Sequence, residues 1–176
     1  MNLSAIMTWL ARGLAIIGGL ALVAITLITV VSITGRGLSS LGLKPVPGDF
    51  ELVEAGTAFA IFAFLPWCQL MRGHATVDVF TSFFPPAVNR VIDFVAELLM
   101  TAVITLIAVQ LWHGMWDKVR YRETTFILQF PVWWGFAAAM AAVCVAVIVS
   151  FYVLYVRFQE VRTGRNILGA GQGAIH

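Results

Sequence analysis

Apolar and polar positions in this chain are sorted by segment rather than by helical face. Four long runs, about residues 14–34, 52–71, 91–110 and 132–156, hold only Glu54, Asp93 and Glu97 as charged residues. A helix on a soluble core keeps a polar stripe, whereas a bilayer with about 30 Å of hydrocarbon demands about 20 apolar residues in succession. Backbone groups in lipid must be satisfied within the segment, and the alternating pattern of a membrane barrel is absent, so each run predicts a transmembrane helix. The expected fold is an all-α integral membrane protein, a single four-helix domain over residues 1–176 with one short interfacial helix.

The borders of the runs carry the remaining local information. The first run begins near Trp9 and Arg12, contains Gly18-Gly19, where a neighbouring backbone can approach closely, and is closed by Arg36. It exceeds the h-region of about 7–15 residues in a signal peptide, so a retained anchor is expected. Residues 37–48 are rich in Gly, Pro and Ser and predict a loop. Asp49 and Glu51 then suit the positive end of the next helix dipole.

The second run has the most marked borders. Glu54 stands near its start, and Met71-Arg72-Gly73-His74-Ala75-Thr76-Val77-Asp78 closes it. Arg72 fits a helix C-terminus, Gly73 the residue beyond the cap, and Thr76 or Asp78 the cap of the following helix. Within the run, Pro66 removes one backbone hydrogen bond and predicts a bend before Trp67-Cys68-Gln69. Beyond it, Val79, Phe80, Phe83 and Phe84 share one helical face and Asp78, Thr81 and Ser82 the other. That segment predicts the interfacial helix, stopped at Pro85-Pro86.

In the third run Arg90, Asp93 and Glu97 fall at i, i+3 and i+7, along one stripe. Trp112, His113 and Trp116 mark its end, and a charge-dense link, Asp117-Lys118-Val119-Arg120-Tyr121-Arg122-Glu123, follows. The fourth run opens with Pro131 as a first-turn proline, then Trp133 and Trp134, one half of an aromatic belt. Ala137, Ala138, Ala139, Ala141, Ala142 and Cys144 supply small residues for helix contact.

Composition agrees with a lipid solvent: apolar residues make up 60% of the chain, charged residues 11%, and mean hydropathy is +0.91. Four spans put both termini on one side, with six Lys and Arg there against five opposite. The arginines after the fourth span tip the positive-inside rule toward termini in the cytoplasm. Cys68 and Cys144 both lie within apolar runs and predict small buried hydrophobes, with no disulfide.

Few residues invite chemistry. Glu97 is the carboxylate set well inside the hydrocarbon, and an acid there is a candidate for an ion or proton path. Pairing with Arg90 on its own stripe, or with Arg12 or Arg72 from neighbouring helices, explains it as well. His74 and His113 suggest haem ligation, but about 30 Å of hydrocarbon separates their two borders. No metal-ligand spacing, nucleophile elbow or phosphate loop is present, so neither an enzyme nor a nucleic-acid partner is expected.

Taken together, the borders resemble a known family. Four spans, Arg36 closing the first, Glu54 opening the second, Arg72-Gly73-His74-x-x-Val77-Asp78 after it, and Thr125-x-x-Leu128-x-x-Pro131-x-Trp133 opening the fourth resemble the DctQ-like small membrane subunit of TRAP (tripartite ATP-independent periplasmic) transporters. The resemblance covers nearly the whole chain. It implies a large multi-span permease subunit that carries solute and sodium, and a periplasmic binding protein that delivers a small carboxylate. This chain would be a scaffold in the bacterial inner membrane, against which a transport domain moves like an elevator, with no cofactor of its own. Arg36, Glu54, Arg72, Gly73, His74, Asp78, Arg90, Asp93, Glu97 and Pro131 are then structural or partner-interface residues, and the link 117–123 is a contact for a periplasmic partner. Two other classes fit four spans: a membrane anchor of an oxidoreductase, which the histidine placement opposes, and an independent small transporter. A small homodimeric drug pump usually needs a carboxylate centred in the first span, and residues 14–34 hold none.

Overall fold

Each apolar run forms one helix. The computed structural model describes residues 3–71 and 85–164, apart from the side chains of residues 86 and 87. The helices are α1 (Leu3–Gly37), α2 (Asp49–Leu70), α3 (Pro86–Tyr121) and α4 (Trp133–Thr163). All four are long and apolar enough to cross a membrane. The interfacial helix expected over residues 77–84 lies outside the described residues.

The helices outrun the apolar runs that predicted them. At 1.5 Å per residue α1 and α3 are about 50 Å long, well beyond about 30 Å of hydrocarbon, so they tilt or extend into the headgroup region. Residues 117–121, expected in the link, are the last turns of α3. Lys118 and Arg120 suit that negative helix end. Arg122, at φ 49°, turns the chain out of the helix in the left-handed region. Pro131 also differs from its expected place. It precedes the helix, paired across the loop with Thr124, and its carbonyl accepts the Trp134 N–H at 3.1 Å. The proline thus closes the loop before α4 starts.

The helices are ordered α1, α2, α4, α3 in space: α1 packs on α2, α2 on α4, and α4 on α3, with a smaller contact between α1 and α4. The core follows from α4. Its buried residues include Ala139, Ala142, Val143, Ala146, Val149, Val153 and Val156, at steps of three and four. Such spacing puts them on one seam, and their small size lets the neighbours come close. Toward the C-terminal end of α4, Ala11, Leu70, Val149 and Val153 form a cluster with Met7, Trp67 and Tyr152 packed on it. The start of α1 and the end of α4 therefore share one membrane border.

By contrast α1 is peripheral. Of its most apolar stretch only 6% is buried, against 39% for α4. Its contact with α2 depends on glycine. A Cβ on Gly18 would lie 2.8 Å from Ala63 Cβ, and one on Gly56 would lie 2.7 Å from Ile25 Cγ2. Gly19, the other half of the expected packing pair, has open space beside it.

Overpacking costs roughly 1–3 kcal/mol, so Gly18→Val and Gly56→Val should each lower the thermal unfolding midpoint in detergent. Gly19→Val should leave it nearly unchanged. Equal effects at Gly18 and Gly19 would contradict the α1–α2 contact.

Candidate functional site

Polar side chains gather at the two membrane borders, and at each they tie helices or loops together. At the border where α1 ends and α2 begins, Ser32 and Arg36 stand one turn apart on α1 and face Asp49. Ser32 Oγ donates to Asp49 Oδ2 at 2.6 Å, and Arg36 Nη2 donates to the same oxygen at 3.0 Å. The Val46 N–H donates to Ser32 Oγ at 3.3 Å, drawing in the loop. Asp49 is buried while the Arg36 side chain is half exposed. The ion pair itself is therefore screened by water, and the short hydroxyl bond is the firmer link.

Glu51, two residues on, holds a second loop. One carboxylate oxygen accepts the Ile127 N–H at 2.6 Å and the other the Leu128 N–H at 2.9 Å. This loop, residues 122–132, folds back on itself through Thr125 N–H to Phe130 C=O at 2.9 Å and Val132 N–H to Glu123 C=O at 3.0 Å. Lys118 pairs with Glu123 at its base, 2.6 Å apart. The loop is strained, with Gln129 at φ 57°, and a carboxylate bonded to two peptide N–H groups stabilises such a turn. Gly48, at φ 73°, has its α-carbon against the Leu128 side chain and leaves no room for a Cβ. Thr125, Leu128 and Pro131 of the sequence pattern are thus the closing bond, the clamped amide and the end of one loop.

At the opposite border the ties run between helices. Ser150 Oγ on α4 donates to Gln69 Oε1 at 2.7 Å, and Gln69 Nε2 on α2 donates to Glu97 Oε1 on α3 at 2.9 Å. One amide therefore joins three helices. About two turns beyond Ser150, Arg157 Nη1 donates to Asp93 Oδ2 on α3 at 3.2 Å and to Glu160 Oε2 at 3.1 Å. Gln69, Glu97, Ser150, Arg157 and Glu160 are all buried.

Several expectations change here. Glu97 accepts from Gln69, and the cation acting on it is Arg157, opposed by Asp93 on its own helix; among the described contacts neither Arg90 nor Arg12 pairs with it. Two turns of helix put Arg90 about 10 Å from Glu97 along α3, whereas Arg157 approaches from the facing helix. Arg90 instead donates to the Gly164 carbonyl at 3.0 Å, just past the end of α4. Arg36 and Asp93 each gain an acid or base partner, as above. Glu54 is exposed and lines a cleft of about 620 Å³ between α2, α3 and α4. Arg72, Gly73, His74 and Asp78 lie outside the described residues. His113 lines a shallow groove with Trp112 and Cys144, and both cysteines are free, Cys144 being exposed rather than buried.

The residues that sequence reasoning passed over are Ser32, Gln69, Ser150, Arg157 and Glu160, together with the clamping roles of Asp49 and Glu51. A signal existed for some. Ser32 and Arg36, or Arg157 and Glu160, share a helical face, and a lone Gln or Ser in an apolar run has to find a partner. What these groups do is fix helix register, since the buried carboxylates Asp49 and Glu97 face donors from other helices.

Hydrogen bonds to charged groups contribute about 1.5–3 kcal/mol. Glu51→Ala should therefore speed amide exchange at Ile127 and Leu128 by about 10- to 100-fold, and unchanged protection would contradict the clamp. Gln69→Leu leaves Glu97 without its donor and should lower thermal stability more than Ser150→Ala; the reverse order would contradict the three-helix tie.

A family model described as tripartite ATP-independent periplasmic transporters, DctQ component, matches residues 22–160. Comparison with curated proteins found no match, and comparison with solved structures found none.

Proposed function

Because this chain belongs to the DctQ component family of tripartite ATP-independent periplasmic transporters, we propose that it is the scaffold subunit of a sodium-driven uptake system in the bacterial inner membrane. Its partner is a large permease subunit that carries solute and sodium in an elevator-type movement. A periplasmic binding protein delivers a small carboxylate solute to the pair. The chain itself holds position, binds no cofactor, and carries out no chemical step.

The observation that carries this reading is how the buried polar groups are used. Asp49, Glu97 and Glu160 each accept hydrogen bonds from within the chain, so they act as fixings. Meanwhile Ile16, Leu20, Leu27 and Val31 on α1 stay exposed. Apolar residues that the fold leaves uncovered suit a subunit that presents one side to lipid and another to a larger partner. Both termini then face the cytoplasm, in line with Arg157 and Arg162 at the end of α4 and Arg12 near the start of α1. The loop 122–132 and the end of α3 face the periplasm, where Arg120 and Arg122 are offered to the binding protein.

The border Arg72, Gly73, His74 and Asp78 sets the depth and register of α2 against the permease in this reading, with Glu54 marking the other end of the helix. The test is co-purification from native membranes with identification of bound proteins: a large multi-span permease is expected, and redox subunits with a haem absorbance would overturn it. Arg72→Ala should weaken recovery of the permease more than it alters solute affinity, as measured by pull-down and binding. Intact recovery with altered affinity would contradict the assignment. Glu97→Gln should leave at least part of the uptake activity, since the amide still bonds Gln69; complete loss in an assembled complex would restore Glu97 as an ion site.

A further inference from the structure

The cleft between α2, α3 and α4 is left unused by the ties described above. Side chains of α2 and α3 meet at Gln69 and Glu97, yet toward the other border a space of about 620 Å³ lies between these helices. Its walls are Ala58 and Phe62 on α2, Leu111 on α3 and Phe136 on α4, and its mouth holds Glu54 and Lys118. An apolar space at membrane depth excludes water and fills with hydrocarbon or protein.

Size and charge select between those occupants. A helix with its side chains is about 10 Å across, so this volume takes only about one and a half turns; an extended acyl chain is far thinner. At the mouth, Glu51 is engaged by the loop amides and Glu123 by Lys118. Among the described residues, Glu54 makes no hydrogen bond or ion pair. Lys118 has three N–H donors, of which Glu123 takes one. The mouth thus offers a carboxylate with no cation partner among the described residues and an ammonium with donors to spare for an anion.

We propose that the cleft is a binding site for a phospholipid with a primary ammonium headgroup. One acyl chain lies along Ala58 and Phe62, the ammonium bonds Glu54, and the phosphate bonds Lys118. A choline headgroup has no N–H to donate to Glu54, and a glycerol headgroup brings no cation to a mouth already holding three carboxylates.

The test loads the full-length chain from vesicles of phosphatidylethanolamine, phosphatidylcholine and phosphatidylglycerol in equal parts. Mass spectrometry then reads the lipid retained after a detergent wash. About tenfold enrichment of the ethanolamine lipid is expected, equivalent to about 1.4 kcal/mol. Glu54→Gln should abolish the enrichment while Ala58→Trp, which fills the wall, should reduce retention of all three lipids. Equal retention by the unaltered chain, or unchanged preference in Glu54→Gln, would overturn the site. If Ala58→Trp fails to fold, Glu54→Gln with a normal unfolding midpoint decides alone. The measurement is repeated on the chain co-purified with whatever proteins it binds. Retained enrichment supports a lipid site, and loss of the lipid there assigns the cleft to a protein contact and overturns it.

Discussion

Lipid gives an apolar helix no reason to leave it, and that constraint shapes every contact in this protein. In water the runs that form α1 to α4 would be driven together by burial; in hydrocarbon their side chains are as well solvated apart as together. Association must come from close backbone approach and from polar groups whose only partners are on other helices. The structure uses both. Small residues along α4 and Gly18 and Gly56 between α1 and α2 bring helices near, and Gln69 joins three helices through one amide. An interhelical hydrogen bond of this kind contributes about 0.6–2 kcal/mol, so register comes from several such ties acting with the packing.

The ties also divide the molecule by border. Where α2 ends, α3 begins and α4 ends, buried groups bind helix to helix. At the other border the acids at the start of α2 bind loops: Asp49 draws in the chain after α1, and Glu51 holds residues 122–132. One end is therefore stiffened through its helices and the other through its connections. Between the loop-bound acids and the amide tie, α2 and α3 leave their cleft. Among the described residues the helices are thus tied at both borders, which suits the scaffold role proposed above.

Much of the fold was legible because membrane spans depend on length and polarity, and both are read from one chain. Four runs gave four helices. Helix ends were less legible: residues 117–121 look like a charged link, yet charge at a helix end beyond the hydrocarbon costs nothing, so α3 continues through them. Partnerships were hardest. Asp49 and Glu51 occupy positions where the dipole alone would justify acids, which hides their bonds to Ser32 and the loop amides. Glu97 attracted the arginine on its own stripe because the order of helices α1, α2, α4, α3 is not visible in sequence. The Thr125 to Trp133 pattern, by contrast, is legible as a motif in the sequence, and the strained loop supplies its physical meaning.

The ties and the uncovered faces lead to one claim, that this chain supports transport without carrying solute. Uptake of a labelled carboxylate into proteoliposomes, driven by a sodium gradient, tests it most directly. The account predicts no uptake with this chain alone and uptake once the large permease and the loaded binding protein are present. Solute flux through the chain on its own would contradict it.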